Sequence, residues 1–250
     1  MKANQTMPTL GGMHDDLRPG IDAVEELDGA TPPFFRRVFI AGEGDSEARG
    51  DATGLAAALA GRAEAVTLAR RADLIVTGSA RAGATGRVTL DPSDRPLLEG
   101  AECPVAVAPR GLAGRDDYRL RRIDVGVDGG RDSSVALDLA VRLAFRHDAR
   151  LRLIAVAELD GAAREADPRE LERLARRLEQ ATDGLAGIWV ETELREGLPD
   201  QVILGLATGT DLLVLGSRAA YGNVGKVAIG DVAARVLGAA PCPILIVPAA

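Results

Sequence analysis

From residue 121 to the C-terminus, short runs of apolar residues alternate with longer stretches in which apolar residues recur every three or four positions. The runs at 123–127, 151–157, 188–194, 212–215 and 244–247 have the length and composition of strands. Between them, 134–146, 168–180, 199–207 and 227–237 carry helical periodicity, the first with a stripe of Val135, Leu139 and Leu143. Asp132 or Ser133 is a candidate N-cap for that first helix, and Asp167-Pro168 places a cap before proline at the first helical position of the second. Strict strand–helix alternation predicts a parallel sheet wrapped on both faces by right-handed crossovers.

The pattern occurs twice. ADLIVTGSARAGATGRV at 72–88 matches TDLLVLGSRAAYGNVGKV at 210–227, and each precedes a near-identical run, CPVAVAP from Cys103 and CPILIVP from Cys242. RRVFIAGEG from Arg36 likewise matches RRIDVGVDG from Arg121. Gly78 and Gly216 lie 138 positions apart, but Gly86 and Gly225, like the two cysteines, lie 139 apart, which puts one extra residue near Ala219 or Ala220. The first strands are only 85 positions apart, so the first copy lacks 53 residues, the length of a strand–helix–strand unit. Its strands are expected at 38–41, 74–76 and 105–108, with a helical region across 53–71 broken at Gly61 and a doubtful helix after the glycine loop. The second and third strands are expected to be absent. Residues 1–33, with Gly11-Gly12, Pro19-Gly20 and Pro32-Pro33, suggest a loose arm with a short helix at 21–27. The expected fold class is α/β: a truncated domain at 34–113 and a complete one at 119–250, each a doubly wound parallel sheet.

Composition narrows the function classes. At 250 residues and 46% hydrophobic, the chain is long enough and apolar enough for a substantial core, which excludes intrinsic disorder. A net charge of -7 argues against nucleic acid or an anionic membrane as partner, and no apolar run reaches the roughly 18 residues of a membrane span. A soluble cytoplasmic protein is expected. Cys103, Cys242, His14 and His147 are too few and too scattered for a metal site, so none is expected. The cysteines read as small hydrophobes at strand starts and His147 as a solvated helix-end residue. No Ser/His/Asp or Cys/His constellation is visible, so no catalytic residue is assigned and a non-enzyme is expected.

The remaining candidate chemistry is a strand running into Gly-Ser, a loop with further glycines, and a helix start. Such a loop lets backbone N–H groups approach a phosphate and sets it against the helix dipole, although glycines also serve tight turns. In doubly wound sheets the ligand lies at the carboxyl ends of the strands, where strand order reverses. Asp128, at the end of the 123–127 strand, is placed to reach a ribose or base.

VGVDGG at 125–130, LRLIAVA from Leu151, DLLVLGSR from Asp211, YGNVGKVAIGDVAARVL from Tyr221 and APCPILIVP from Ala240 resemble the universal stress protein family in its tandem type. DLIVTGS from Asp73, GRV from Gly86 and ECPVAVAPRG from Glu102 carry the likeness into the first copy. The resemblance implies an adenine nucleotide alpha hydrolase-like fold, with domains paired through their last strands as a dimer or an intrachain pseudo-dimer. Strands 105–108 and 244–247 should then lie side by side, and the first strand of the truncated copy should be an open edge, covered by the arm or by a second chain. The resemblance also implies a non-catalytic stress-response or regulatory role, with ATP and Mg as the ligand where one binds, and a regulatory protein partner. A slow ATPase and a scaffold acting through its dimer surface are the alternatives.

Family members that bind ATP share glycine, two residues, glycine, nine residues, glycine, then serine or threonine. Carried over by resemblance, the nucleotide residues are Asp128, Val156, Gly216, Ser217, Gly222, Gly225, Gly230, Asp231 and Val232. The pattern departs at its second glycine, which falls on Ala219 or Ala220, and at its hydroxyl residue, which is Asp231. A carboxylate there repels a triphosphate by about 4 kcal/mol per unit charge at roughly 4 Å and an effective dielectric near 20, unless Mg²⁺ bridges them; alternatively Asp231 caps its helix. In the first copy these positions are Asp91 and Pro92, so no nucleotide is expected there. Lys226 aligns with Arg87, which favours a solvated or packing role over phosphate contact.

Overall fold

The computed structural model describes residues 34–41, 45–159, 165–185, 187–217 and 226–248. Strands β1 (Arg37–Ile40), β2 (Glu64–Ala65), β3 (Leu74–Thr77), β4 (Val105–Val107), β5 (Arg122–Gly126), β6 (Arg150–Glu158), β7 (Val190–Gly197), β8 (Leu212–Gly216) and β9 (Ile244–Val247) form one sheet in the order β2-β1-β3-β4-β9-β8-β5-β6-β7. Every pairing is parallel except β4 with β9. Helices α1 (Ser46–Ala60), α3 (Arg131–His147) and α4 (Pro168–Thr182) bury Leu55, Leu143 and Leu174 on one face. Helices α2 (Arg95–Leu98), α5 (Pro199–Leu206) and α6 (Asp231–Leu237) bury Leu98, Ile203 and Val236 on the other. This is the α/β, doubly wound arrangement that the alternation predicts.

The repeat recurs in the hydrogen bonds. Asp73 accepts from the backbone N–H groups of Arg36 and Arg37 at 3.0 and 2.8 Å. Asp211, its counterpart, accepts from those of Arg121 and Arg122 at 2.9 Å each. The halves meet where β4 and β9 run antiparallel, with Ala106 opposite Leu245, Val105 opposite Ile246 and Val107 opposite Ile244. That register is symmetric about the Ala106–Leu245 pair. Equivalent backbone groups cross the seam in both directions: Val88 N–H donates to the Ala240 carbonyl at 2.8 Å, and Val227 N–H to that of Ala101 at 2.7 Å.

Several expectations need correction. The second strand of the first copy is retained as the two-residue β2, paired with β1, so β1 is not the sheet edge. The arm invoked to cover that edge, 1–33, lies outside the described residues. Helix α1 begins at Ser46, capped by the Asp45 side chain on the N–H groups of Glu47 and Ala48, and ends at Gly61, whose φ of 63° suits glycine. Helix α3 starts at Arg131 with Gly130 as N-cap, not Asp132 or Ser133, and buries Ala136, Ala140 and Leu143 while Val135 and Leu139 are half-buried. Helix α6 starts at Asp231 rather than at 227, because Val227 spends its N–H on Ala101 and its carbonyl on Gly100 across the seam.

The cysteines behave as hydrophobes: burial pushes the Cys242 thiol up to about 12 and the Cys103 thiol up to about 11. His147 is not a solvated end residue. Its Nε2 is buried with no hydrogen-bond partner among the described residues, and burial, then the charge of Arg146, holds its pKa below the usual histidine value. The folded state therefore binds fewer protons at this site than the unfolded chain between the lowered value and about 6.5, so stability falls as pH falls through that window. Urea denaturation from pH 7 to 5 is expected to show a shallower loss of stability in His147→Phe than in wild type; equal slopes would refute the assignment.

Candidate functional site

Strand order reverses between β5 and β8, so the crevice of this fold lies at their carboxyl ends, where Asp128 follows β5 and Gly216-Ser217 closes β8. Ser217, just after β8, is hydrogen-bonded to Ala228, two residues before Gly230, with Asp231 and Val232 following in the first turn of α6. Val156 is half-buried in β6, opposite Arg195 of β7. Gly222, Gly225 and the insertion at Ala219 or Ala220 lie outside the described residues.

Gly216 is required for packing. A Cβ on it would stand 2.6 Å from the Asp132 carbonyl oxygen and 2.9 Å from the Ser133 nitrogen, because the end of β8 presses on the first turn of α3. Its counterpart Gly78 is tighter still, 2.1 Å from the Ala48 oxygen on α1. The glycine shared by both loops thus has a structural reason independent of any anion. Ser217 is fully buried and its hydroxyl is engaged twice by Ala228, accepting from the N–H at 2.6 Å and donating to the carbonyl at 3.0 Å. Ser79 does the same work in the first half, accepting from Thr89 N–H at 3.1 Å and donating to the Ala108 carbonyl at 2.6 Å.

Asp128 folds back on its own turn, its Oδ1 accepting from Gly130 N–H at 2.7 Å. Arg177, from α4, lies across that turn and donates to the Asp128 carbonyl at 2.6 Å; Gly129, at φ 74°, makes room for it, since a Cβ there would meet the Arg177 Cδ at 2.2 Å. Arg177 was not among the sequence candidates, and only the paired glycines after β5 hint that a neighbour comes so close. Asp231 is the first residue of α6, with Gly230 as N-cap, so its carboxylate stands in the first turn, where the helix dipole favours an acid. Its side chain is exposed, and water weakens the repulsion anticipated from the sequence.

The first-half loop has the wrong polarity for phosphate. Arg110 donates from Nη1 to the carbonyls of Arg81 and Gly83 at 2.7 and 3.1 Å, and from Nε and Nη2 to the Glu47 carboxylate at 3.2 Å each. Loop carbonyls converge on a cation there, where an anion cradle needs N–H groups. Asp91 is tied by its carboxylate to the Ser93 hydroxyl and N–H at 2.7 and 2.9 Å, which lowers its pKa. Lys226 pairs with exposed Glu102 at 3.6 Å, and Arg87 donates to the Ala239 carbonyl at 2.8 Å, so each reaches into the opposite half.

The fold is that of an α/β protein with a doubly wound, mainly parallel sheet. Its sequence is matched over residues 119–248 by the universal stress protein family, to which the chain belongs. A universal stress protein of Mycobacterium tuberculosis is 29% identical over 188 residues, covering 72% of this chain and 63% of that protein. The chain thus spans just under two thirds of that relative's length. One from Thermus aquaticus is 32% identical over 137 residues, 51% of this chain and 98% of its own. A solved structure of a Pseudomonas aeruginosa protein superposes with a TM-score of 0.54 at 19% identity, covering 85% of this chain and 82% of its own, a likeness of fold. Among the described residues no helix is long and apolar enough to cross a membrane, and no cluster of His, Cys, Asp or Glu is arranged to hold a metal.

Proposed function

We propose that the chain is a non-catalytic stress-response or regulatory protein whose second half keeps a degenerate nucleotide site, weak or lost for ATP, and whose first half binds no nucleotide. The observation that carries this reading is the carboxylate of Asp231 at the start of α6, in the position where the family resemblance puts a hydroxyl. Ser217, with its hydroxyl committed to Ala228, and Asp128, turned back on Gly130, support it. The Arg110 plug supports the same conclusion for the first half. The symmetric β4–β9 register supports an intrachain pseudo-dimer of the domains at 34–113 and 119–250, which acts through a protein partner.

Titration calorimetry with Mg-ATP tests it. Wild type is expected to show no binding at micromolar affinity, and Asp231→Ser to gain at least about tenfold, equivalent to about 1.4 kcal/mol. Micromolar binding by wild type would overturn the reading. Silence in both proteins would move the cause to the inserted residue of the glycine loop and favour the scaffold alternative.

A further inference from the structure

A second cavity, of about 380 Å³, lies away from the strand-end crevice. It opens where α1 of the first half, the connection at 112–120 and the last residue of α3 meet. One wall is apolar: Ala57 and Ala58 of α1 with Leu112 and Leu120. The ring of Tyr118 adds a further flat surface, and its hydroxyl is already committed, donating to the Asp211 carbonyl at 2.8 Å. Against this surface stand Arg115 and Arg119, while none of the lining residues is acidic. His147 completes the lining, and its Nε2 is the one buried side-chain polar atom without a partner among the described residues.

Those features are specific in combination. His147 puts an imidazole ring, and with it a spectroscopic reporter, into the wall of the cavity. The volume falls within the range of small-ligand sites, and apolar walls with few polar groups are their usual make-up. Two guanidiniums with no lining carboxylate select a negative head, and the alanine and leucine wall with the tyrosine ring selects a flat or short apolar body. The connection itself is rigidly held: buried Asp51 of α1 accepts from Gly111 and Ala113 N–H groups at 2.8 and 2.7 Å, so the cavity is preformed.

We infer that this seam cavity binds a small organic anion, with its apolar body against Ala57, Ala58 and Leu120, its head toward Arg115 and Arg119, and its ring beside His147. A carboxylate and a phosphomonoester share the chemistry of such a head. Benzoate and phenyl phosphate have the same ring and distinguish the two.

The measurement is proton NMR of the histidine C2–H signals of the full chain, which has only His14 and His147; a His14→Gln variant assigns them. Titration with benzoate or phenyl phosphate is expected to move the His147 signal saturably, with half-saturation below about 1 mM. Whichever probe saturates at lower concentration identifies the head. Arg119→Gln, at an exposed position, is expected to weaken binding about tenfold, and Ala58→Phe, which fills the cavity, to abolish it. A His147 signal unmoved by either probe at about 20 mM would overturn the proposal, as would an equal saturable shift in Ala58→Phe. A shift produced by Mg-ATP and lost in a variant altered only at the strand-end crevice would also overturn it, because His147 would then be reporting the other site.

Discussion

Truncating either Asp124 or Arg152 to alanine is expected to cost about 3–5 kcal/mol of folding stability, the usual penalty for leaving one member of a buried ion pair alone. Asp124 sits in the middle of β5 with its side chain fully buried, and Arg152 is its direct neighbour on β6. The guanidinium donates from Nε to Oδ1 at 3.0 Å and from Nη2 to Oδ2, and Nη2 reaches on to the Leu206 carbonyl at the end of α5, 2.7 Å away. Thr210 donates its hydroxyl to the same carboxylate. Alanine at 124 would strand a guanidinium and a threonine hydroxyl; alanine at 152 would strand a carboxylate. The first half supplies the comparison. Its position equivalent to Asp124 is Phe39, and the residue just after β2, where the β1–β2 register would continue, is Val66; both are half-buried and apolar. The double variant Asp124→Phe with Arg152→Val is therefore expected to recover at least half of the loss seen in either alanine variant. Urea denaturation of the four proteins checks this, and a double variant as unstable as the singles would disprove it.

Alanine at Gly78 is expected to destabilise at or above the upper end of the roughly 1–3 kcal/mol usual for overpacking, and alanine at Gly216 somewhat less. The order follows from the spacing, 2.1 Å to the Ala48 oxygen against 2.6 Å to the Asp132 oxygen, both backbone atoms of a helix that must move bodily. Gly205 is the control. It lies in α5 with open space around it, so alanine there is expected to add about 0.5–1 kcal/mol by stiffening the unfolded chain and favouring helix. Thermal unfolding of the three variants separates crowding from loss of backbone freedom. A Gly78→Ala protein as stable as wild type would show that α1 is not locked against β3.

What was legible in the sequence was whatever rests on repeated apolar runs. The strands from β5 to β9 and the Cys-Pro strand starts follow from periodicity and the repeat, and the adjacency of β4 and β9 from the family resemblance. The start of α1 was hidden because Gly50 and Gly54 interrupt its pattern; a Cβ added at either would just reach van der Waals contact with Ala113 of the connection. Strand β2 was hidden because its two residues, Glu64 and Ala65, are exposed and carry no apolar signal. Arg152 shows as one charge inside LRLIAVA, yet pairing it with Asp124 requires knowing that β5 and β6 are neighbours in register. Of the candidate site, the Gly-Ser corner stands out when the two copies are laid together, whereas the departure at Asp231 shows only against the family pattern. Arg110 and Arg177 were not, because each acts on a loop distant in sequence, and one arginine among many carries no local mark.

The β4–β9 seam also changes how assembly depends on amount. Joining these strands between separate molecules would be bimolecular and would dissolve on dilution. Here they belong to one polypeptide, and the covalent connection through 108–121 holds each half at a fixed effective concentration near the other. This β4–β9 pairing therefore does not come apart on dilution.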